Sequence, residues 1–175
     1  MNVIREYQPE DAQQVEECFV ELQDSLHRLE PSVLEGKAAK KYFDFMFAYC
    51  AETSGKVFVA EVDNQIVGFV SLWLKMKSEL DEEPSEYAFI SDLVVLPAYR
   101  GRGLGRALLQ KAEEHARLQG ATTLKLEVLA NNDVAIKLYQ NYGFHDHQIL
   151  LVKGLQSSDS DCRAPLVFPR NPNIT

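Results

Sequence analysis

Apolar residues recur along the first third of the chain at the three- and four-residue spacing of one helix face. Ala12, Val15, Phe19, Leu22 and Leu26 form the first such stripe, beginning just after Pro9, a residue suited to a first helical turn. The outer positions of this segment carry Glu10, Glu16, Glu17, Glu21 and Asp24. Phe43, Met46, Phe47 and Cys50 form a second stripe, in a helix that Ser32 opens with Glu35 at capping-box spacing. Core packing is the simplest role for that stripe. The alternative is that part of this aromatic-rich helix walls a substrate pocket. Ahead of both helices, Asn2–Tyr7 reads as a short strand.

The pattern then becomes extended. Lys56–Val62 and Gln65–Lys75 are β-rich runs joined at Asp63-Asn64, a tight hairpin turn. An acidic linker, Met76–Ser85, leads to a third run, Tyr87–Leu96, which Pro97 stops. A helix from near Gly103 to Gln119 ends at Gly120. A strand over Thr122–Leu129 follows, then a helix that Asn131 caps and Gly143 stops after Tyr142. Ile149–Lys153 reads as a last short strand. The order β-α-α-β-β-β-α-β-α-β predicts an α/β fold: hairpins in the first half, strand-helix alternation in the second, and hence a mixed sheet with helices packed on it. One domain is expected over residues 1–153. Residues 154–175, rich in Ser, Asp, Pro and Asn, read as a surface extension in which Ala164–Phe168 is apolar enough to dock on the domain or on a second subunit.

Composition agrees with one globular domain: 175 residues, 46% hydrophobic and 25% charged. The net charge of -8 disfavours duplex nucleic acid as a partner, since that affinity comes from neutralising phosphates. It suits a cationic substrate and, equally, plain solubility. No run approaches the ~18 apolar residues of a membrane span, and the N-terminus lacks the basic-then-apolar start of a secretory signal. Three scattered cysteines (Cys18, Cys50, Cys162) argue against a disulfide framework or a zinc site and fit a reducing, cytoplasmic setting. His145 and His147 flank Asp146 without a third ligand, so no metal is expected.

The candidate chemistry lies after the third β run. There Gly101, Gly103 and Gly105 alternate with and adjoin Arg100, Arg102 and Arg106, and an amphipathic helix starts at once. Glycines allow positive φ and close approach of backbone to a ligand. Free N–H groups at a helix start attract an anion, and the arginines add positive charge to an otherwise acidic chain. This is a phosphate or pyrophosphate cradle. It is not a nucleoside-triphosphate P-loop, because no Gly-Lys-Ser/Thr follows. Its spacing is GxGxG rather than the GxGxxG of a dinucleotide fold.

Here the chain resembles the GCN5-related N-acetyltransferase (GNAT) superfamily. Arg100-Gly-Arg-Gly-Leu-Gly105 meets that family's Q/R-x-x-G-x-G/A signature. Asn132 and Ala135-Ile-Lys-Leu-Tyr-Gln-Asn-Tyr-Gly-Phe144 meet its downstream Asn and A-x-x-L-Y-x-x-x-G-F pattern. The resemblance implies a mostly antiparallel mixed sheet with a splayed strand pair, and direct acetyl transfer from acetyl-CoA to an amine. By position, Leu93, Val94 and Val95 would offer backbone groups to the pantetheine arm and acetyl carbonyl. Arg100, Gly101, Arg102, Gly103, Leu104, Gly105 and Arg106 would hold the pyrophosphate, mainly through backbone N–H groups. Asn132 would bond the pantetheine arm.

An amine attacks a thioester only as the neutral base, so a proton must be removed, and the leaving thiolate benefits from an acid. Tyr139 stands where the family places its phenolic acid. Two carboxylates compete for the basic role. Glu127, in Leu126-Glu127-Val128, is twelve positions before Tyr139, a spacing that resembles the ribosomal-protein N-terminal acetyltransferases. Asp92, an acid on an otherwise apolar strand, sits where polyamine-acetylating relatives hold the substrate ammonium. The preferred division is Glu127 as base and Asp92 as substrate ligand. The acidic positions on the first helix and the segment Glu79–Glu86 suggest a small polycationic amine as acceptor. A peptide N-terminus is the alternative, and a non-catalytic acyl-CoA-binding module the third reading. Exposed strand edges are compatible with a homodimer.

Overall fold

The computed structural model describes residues 2–78 and 85–155. Five strands form one sheet in the order β1-β2-β3-β4-β5: β1 (Asn2–Glu6), β2 (Lys56–Val62), β3 (Gln65–Lys77), β4 (Glu86–Val95) and β5 (Leu124–Leu126). The first three pairings are antiparallel and β4–β5 is parallel, the mixed sheet that the element order predicts. The β2–β3 hairpin turns at Asp63 and Asn64 with φ of 50° and 65°, the left-handed pair that a two-residue turn requires.

Four helices cover the sheet: α1 (Ala12–Leu29), α2 (Lys40–Glu52), α3 (Leu104–Leu118) and α4 (Asp133–Tyr142). Alternation along the strands sorts the core onto two faces. Val57, Val59, Phe69 and Trp73 meet Val15, Cys18 and Phe19 of α1 and Phe43, Met46 and Cys50 of α2. Phe58, Ala60, Val70, Leu72 and Ile90 meet Leu104, Leu108, Leu109 and Ala112 of α3. The stripe at Phe43, Met46 and Cys50 is therefore core. Phe47 is half-buried, its ring 4.9 Å from Tyr7. Burial pushes the Cys18 thiol up to about 12 and that of Cys50 up to about 11, as expected of small apolar fillers.

Several boundaries differ from the pattern-based reading. Ser32 does not open α2. Its N–H and hydroxyl both donate to Glu30 Oε1, and a 3-10 turn over Gly36–Ala39 precedes the helix. Asp24 Oδ1 accepts from Gly36 N at 2.8 Å and fixes that turn to α1. Asn132 rather than Asn131 caps α4, accepting from Ala135 N at 3.2 Å. The strand expected over Thr122–Leu129 pairs only at Leu124–Leu126. Ile149–Lys153 is not a strand. A run there needs a ladder partner, and none stands beside it among the described residues, where Leu151 is 88% exposed. Residues 79–84 of the acidic linker, and the tail from 156 onward with Cys162 and Ala164–Phe168, lie outside the described residues.

Candidate active site

The ladder between β3 and β4 is irregular at two places, between Trp73 and Met76 and beside Asp92. Ser71 pairs with Asp92, and the next residue, Leu72, pairs with Ile90, which leaves Ser91 as a bulge in β4. The insertion changes the parity of the strand. Phe89 faces α1 and α2, and Ile90 faces α3; after Ser91, Val94 faces α1 and α2 again. Asp92 has the same parity as Val94, so the bulge turns its carboxylate toward α2. There it is 6% exposed, with the Tyr42 hydroxyl 3.1 Å and 3.4 Å from its two oxygens. Burial pushes the Asp92 carboxyl up to about 6, and the Ser91 and Tyr42 hydroxyls pull against that rise.

The second feature is a gap in the sheet. β4 and β5 pair only through Ala88, Phe89 and Ile90, so the strands part beyond the bulge. Leu96 N donates to Val67 O on β3, and alternation then assigns the Val94 backbone to β3 as well. Leu93 and Val95 face the gap instead. The Val95 carbonyl is taken by Arg100 Nε at 2.8 Å. Of the three backbone candidates, the open groups are thus both groups of Leu93 and the N–H of Val95.

At the mouth of the gap, a 3-10 turn over Pro97–Tyr99 leads into the glycine loop and α3. Gly101 and Gly103 have φ of 75° and 79°, and open space lies where a Cβ would stand. Backbone conformation, not crowding, demands glycine there. No side chain caps α3. Its first backbone bond runs from Ala107 N to Gly103 O, so the N–H groups of Leu104, Gly105 and Arg106 have no partner within the helix. These donors, with the helix dipole, suit a pyrophosphate. Gly105 serves packing instead: a Cβ there would stand 3.2 Å from Leu138 of α4.

The arginine side chains brace this loop. Besides the Arg100 bond to Val95, Arg102 donates to Ala98 O at 3.1 Å and lies over the Tyr99 ring. Arg106 donates to Asn141 O at 3.3 Å and lies over Tyr142. Replacing Gly103 by Ala forces a left-handed φ on a residue with a Cβ, at about 1–2 kcal/mol. The acetyl-CoA dissociation constant in that variant, read by calorimetry, is expected to rise about tenfold. An unchanged constant would remove the loop backbone from the binding site.

Across the gap, α4 supplies Tyr139. The half-buried phenol packs against the cluster on the α3 side, and its value is pushed up to about 12, first by burial and then by the Asp92 charge. The Asn132 side-chain oxygen is engaged in capping, which leaves its amide N–H groups to donate. Glu127 is exposed, one residue past the end of β5. The α1 acids are engaged: Glu21 accepts from Ser25 and lies 3.6 Å from Arg28 and 3.8 Å from Arg100, while Glu16 lies 3.5 Å from Lys40. Tyr42 is the site residue that pattern reading missed. Its one signal was an aromatic position adjoining the buried α2 stripe.

Known proteins carry the same architecture. The chain is 38% identical over 97 residues to the uncharacterized N-acetyltransferase MJ1207 of Methanocaldococcus jannaschii, a match covering 55% of this chain and 41% of that protein. The chain spans about half the length of the curated relatives it matches first. The BH1408 protein of Bacillus halodurans superposes with a TM-score of 0.74 at 18% identity, over 88% of this chain and 99% of the other. An aminoglycoside N-acetyltransferase solved with CoA superposes with a TM-score of 0.63 at 16% identity, over 89% of this chain and all of the other. These two likenesses are of fold. The family model described as acetyltransferase (GNAT) family matches residues 19–144, from α1 through the end of α4, and the chain belongs to that family.

Proposed function

We propose that the protein transfers the acetyl group of acetyl-CoA directly to a primary amine held between α2 and β4. The observation that carries this reading is the gap in the sheet lined by Leu93 and Val95, with the buried Asp92 carboxyl held by Tyr42 on the α2 side and Tyr139 of α4 packed on the α3 side. Asp92 takes one proton from the substrate ammonium. The neutral amine attacks the thioester carbonyl, the C–S bond breaks as the C–N bond forms, and the thiolate leaves. Tyr139 protonates the thiolate, and the second amine proton restores the phenol. The balance is ammonium plus acetyl-CoA giving amide, CoA thiol and one proton. Burial and the Tyr42 contact favour Asp92 over exposed Glu127 for the basic role. The backbone donors at the start of α3 and the CoA carried by the aminoglycoside N-acetyltransferase of the same fold support acetyl-CoA as co-substrate. That neighbour's printed substrate class also supports a small amine as acceptor.

Release of CoA thiol that requires both acetyl-CoA and an amine tests the reading. Absence of such release over a broad amine panel would overturn it. The pH profile adds a sharper test. The groups facing Asp92 are the Tyr42 hydroxyl from α2, the Ser71 and Ser91 hydroxyls of the sheet and the Tyr139 phenol from α4, and no ion pair joins it among the described residues. Its carboxylate must be ionised to accept a proton, so kcat/KM is expected to fall on the acid side below about pH 6. Tyr42 donates to the ionised form. Tyr42→Phe removes that support, raises the Asp92 value and moves the acid limb to higher pH. A limb that stays in place would separate Tyr42 from the protonation step.

A further inference from the structure

The last turns of α1 reach across the mouth of the gap. β4 and β5 run parallel, so the loops that follow them leave the same end of the sheet. α1 is tied to both loops. Glu21 lies 3.8 Å from Arg100, in the loop after β4. The carbonyl of Leu29, the final residue of the helix, has no partner within it and accepts from Asn131 Nδ2, in the loop after β5, at 3.0 Å. That second tie joins residues 102 positions apart in sequence.

Between the two ties stands Gln23. It is 6% exposed and shares the inward stripe of α1 with Phe19 and Leu26, at four- and three-residue spacing. A buried carboxamide normally finds partners for its oxygen and its N–H groups. Other polar side chains of α1 do: Gln14 Oε1 accepts from Ile66 N, and Asp24 Oδ1 from Gly36 N. Gln23 makes no side-chain hydrogen bond among the described residues. Nor is it sealed. The polar atoms closed off without a partner belong to Ser71, Trp73, Ser91 and His115, so the Gln23 carboxamide keeps a narrow opening. Two of its sides are shut. One turn back, the Phe19 ring packs on Tyr42 and Phe43, at 6.0 Å and 5.0 Å between centroids. On the side of Val20 and Asp24, Gly36 approaches so closely that a Cβ there would stand 2.6 Å from the Val20 backbone.

We infer that Gln23 is a specificity-determining residue of the acceptor site: its carboxamide turns into the mouth of the gap and pairs with an amide group carried by the amine. Tyr42 links it to the reaction centre, since its hydroxyl contacts Asp92 and its ring packs on Phe19, one turn before Gln23. An amide presents a donor beside an acceptor and meets both ends of the carboxamide at once. A plain alkyl chain leaves Gln23 buried and unpaired, and is rejected for that reason. The inference rests on the acetyl-transfer reading for the place of the acceptor, and its test separates the two.

Glycinamide, β-alaninamide and γ-aminobutyramide are compared with n-butylamine as acceptors for the native protein, Gln23→Met and Gln23→Leu. The native protein is expected to favour the best amide over n-butylamine by at least about tenfold in kcat/KM. Both variants are expected to cut that preference at least about tenfold, through the KM for the amide, with acetyl-CoA affinity unchanged. Comparing preferences between native and variant protein cancels differences in amine basicity. Gln23 has no hydrogen bond to lose, so neither variant is expected to melt lower. A preference that peaks at glycinamide points to a peptide N-terminus, and one that peaks at a longer member to a small amino amide. No preference for any amide in the native protein, or a preference that both variants keep, would overturn the inference and leave acetyl transfer standing. Calorimetric titration of the amides into the CoA-loaded protein reads binding without chemistry. Amide binding that both variants lose, without thiol release from any amine, would support the Gln23 contact and overturn acetyl transfer.

Discussion

Asp92→Asn is expected to melt several degrees higher than the native protein at pH 8 while losing between ~10²- and ~10⁴-fold in kcat/KM. The two effects have one origin. The folded protein holds this carboxyl at about 6 against an ordinary 3.8. The folded value is the higher one, so the buried neutral acid stabilises the fold fully below about pH 4, and that contribution is lost as pH rises through about 6. Above that range the fold carries a buried anion whose cost, at ~1.4 kcal/mol per unit, is about 3 kcal/mol. In a domain of this size each kcal/mol moves the melting temperature by about 2–4 °C. Asparagine keeps the shape and removes the charge, so the gain should be present at pH 8 and absent at pH 4. Paired melting curves at the two pH values check it. Equal melting at pH 8 would mean that Asp92 is solvated, and undiminished turnover would pass the basic role to another group.

Tyr139→Phe is expected to lower kcat about a hundredfold or more while leaving acetyl-CoA affinity and the fold intact. The phenylalanine ring preserves the edge contact with Phe144, whose centroid lies 5.9 Å away. What disappears is a proton donor raised to about 12 by burial and by the Asp92 charge. A donor with that value does not ionise at neutral pH, and it has a proton to give when the CoA thiolate departs. The loss should therefore depend on the leaving group. An acetyl thioester of a more acidic thiol needs less help, and the ratio of native to variant rates should shrink with it. Unchanged kcat with acetyl-CoA would remove Tyr139 from the reaction, and a ratio independent of thiol acidity would make its role one of packing.

Much of this arrangement is legible from one-dimensional pattern because local chemistry dictates it. Asp63-Asn64 tolerates left-handed backbone, so the hairpin follows from two residues. The turn over Arg100–Gly105 is legible because Gly101 and Gly103 are needed for their φ, and α3 begins directly after them. What escapes the pattern depends on partners distant in sequence. Leu124–Leu126 is short because β4 leaves it after Ile90, and Ile149–Lys153, though apolar, finds no ladder among the described residues. Ser32 has the composition of a cap, yet Glu30 claims it first. Asp92 was visible as an acid among apolar residues. Its contact with Tyr42, fifty residues away, was not, because it requires knowing which face of β4 the carboxylate occupies.

That face is set by counting. Ser91 contributes to the site chiefly as one additional unit of chain between Ile90 and Asp92. Many residue types could supply that unit, although the Ser91 hydroxyl also holds the Asp92 carboxyl down, and its deletion would leave Asp92 directly after Ile90 and still on the opposite face. Were β3 to gain a residue opposite Ser91, the bulge would close into a regular pair, the carboxylate would pass into the apolar layer beneath α3, and Leu93 would take its place under Tyr42. The face of this carboxylate therefore tolerates substitution at residue 91, and even its loss, but not a residue gained by β3 opposite it.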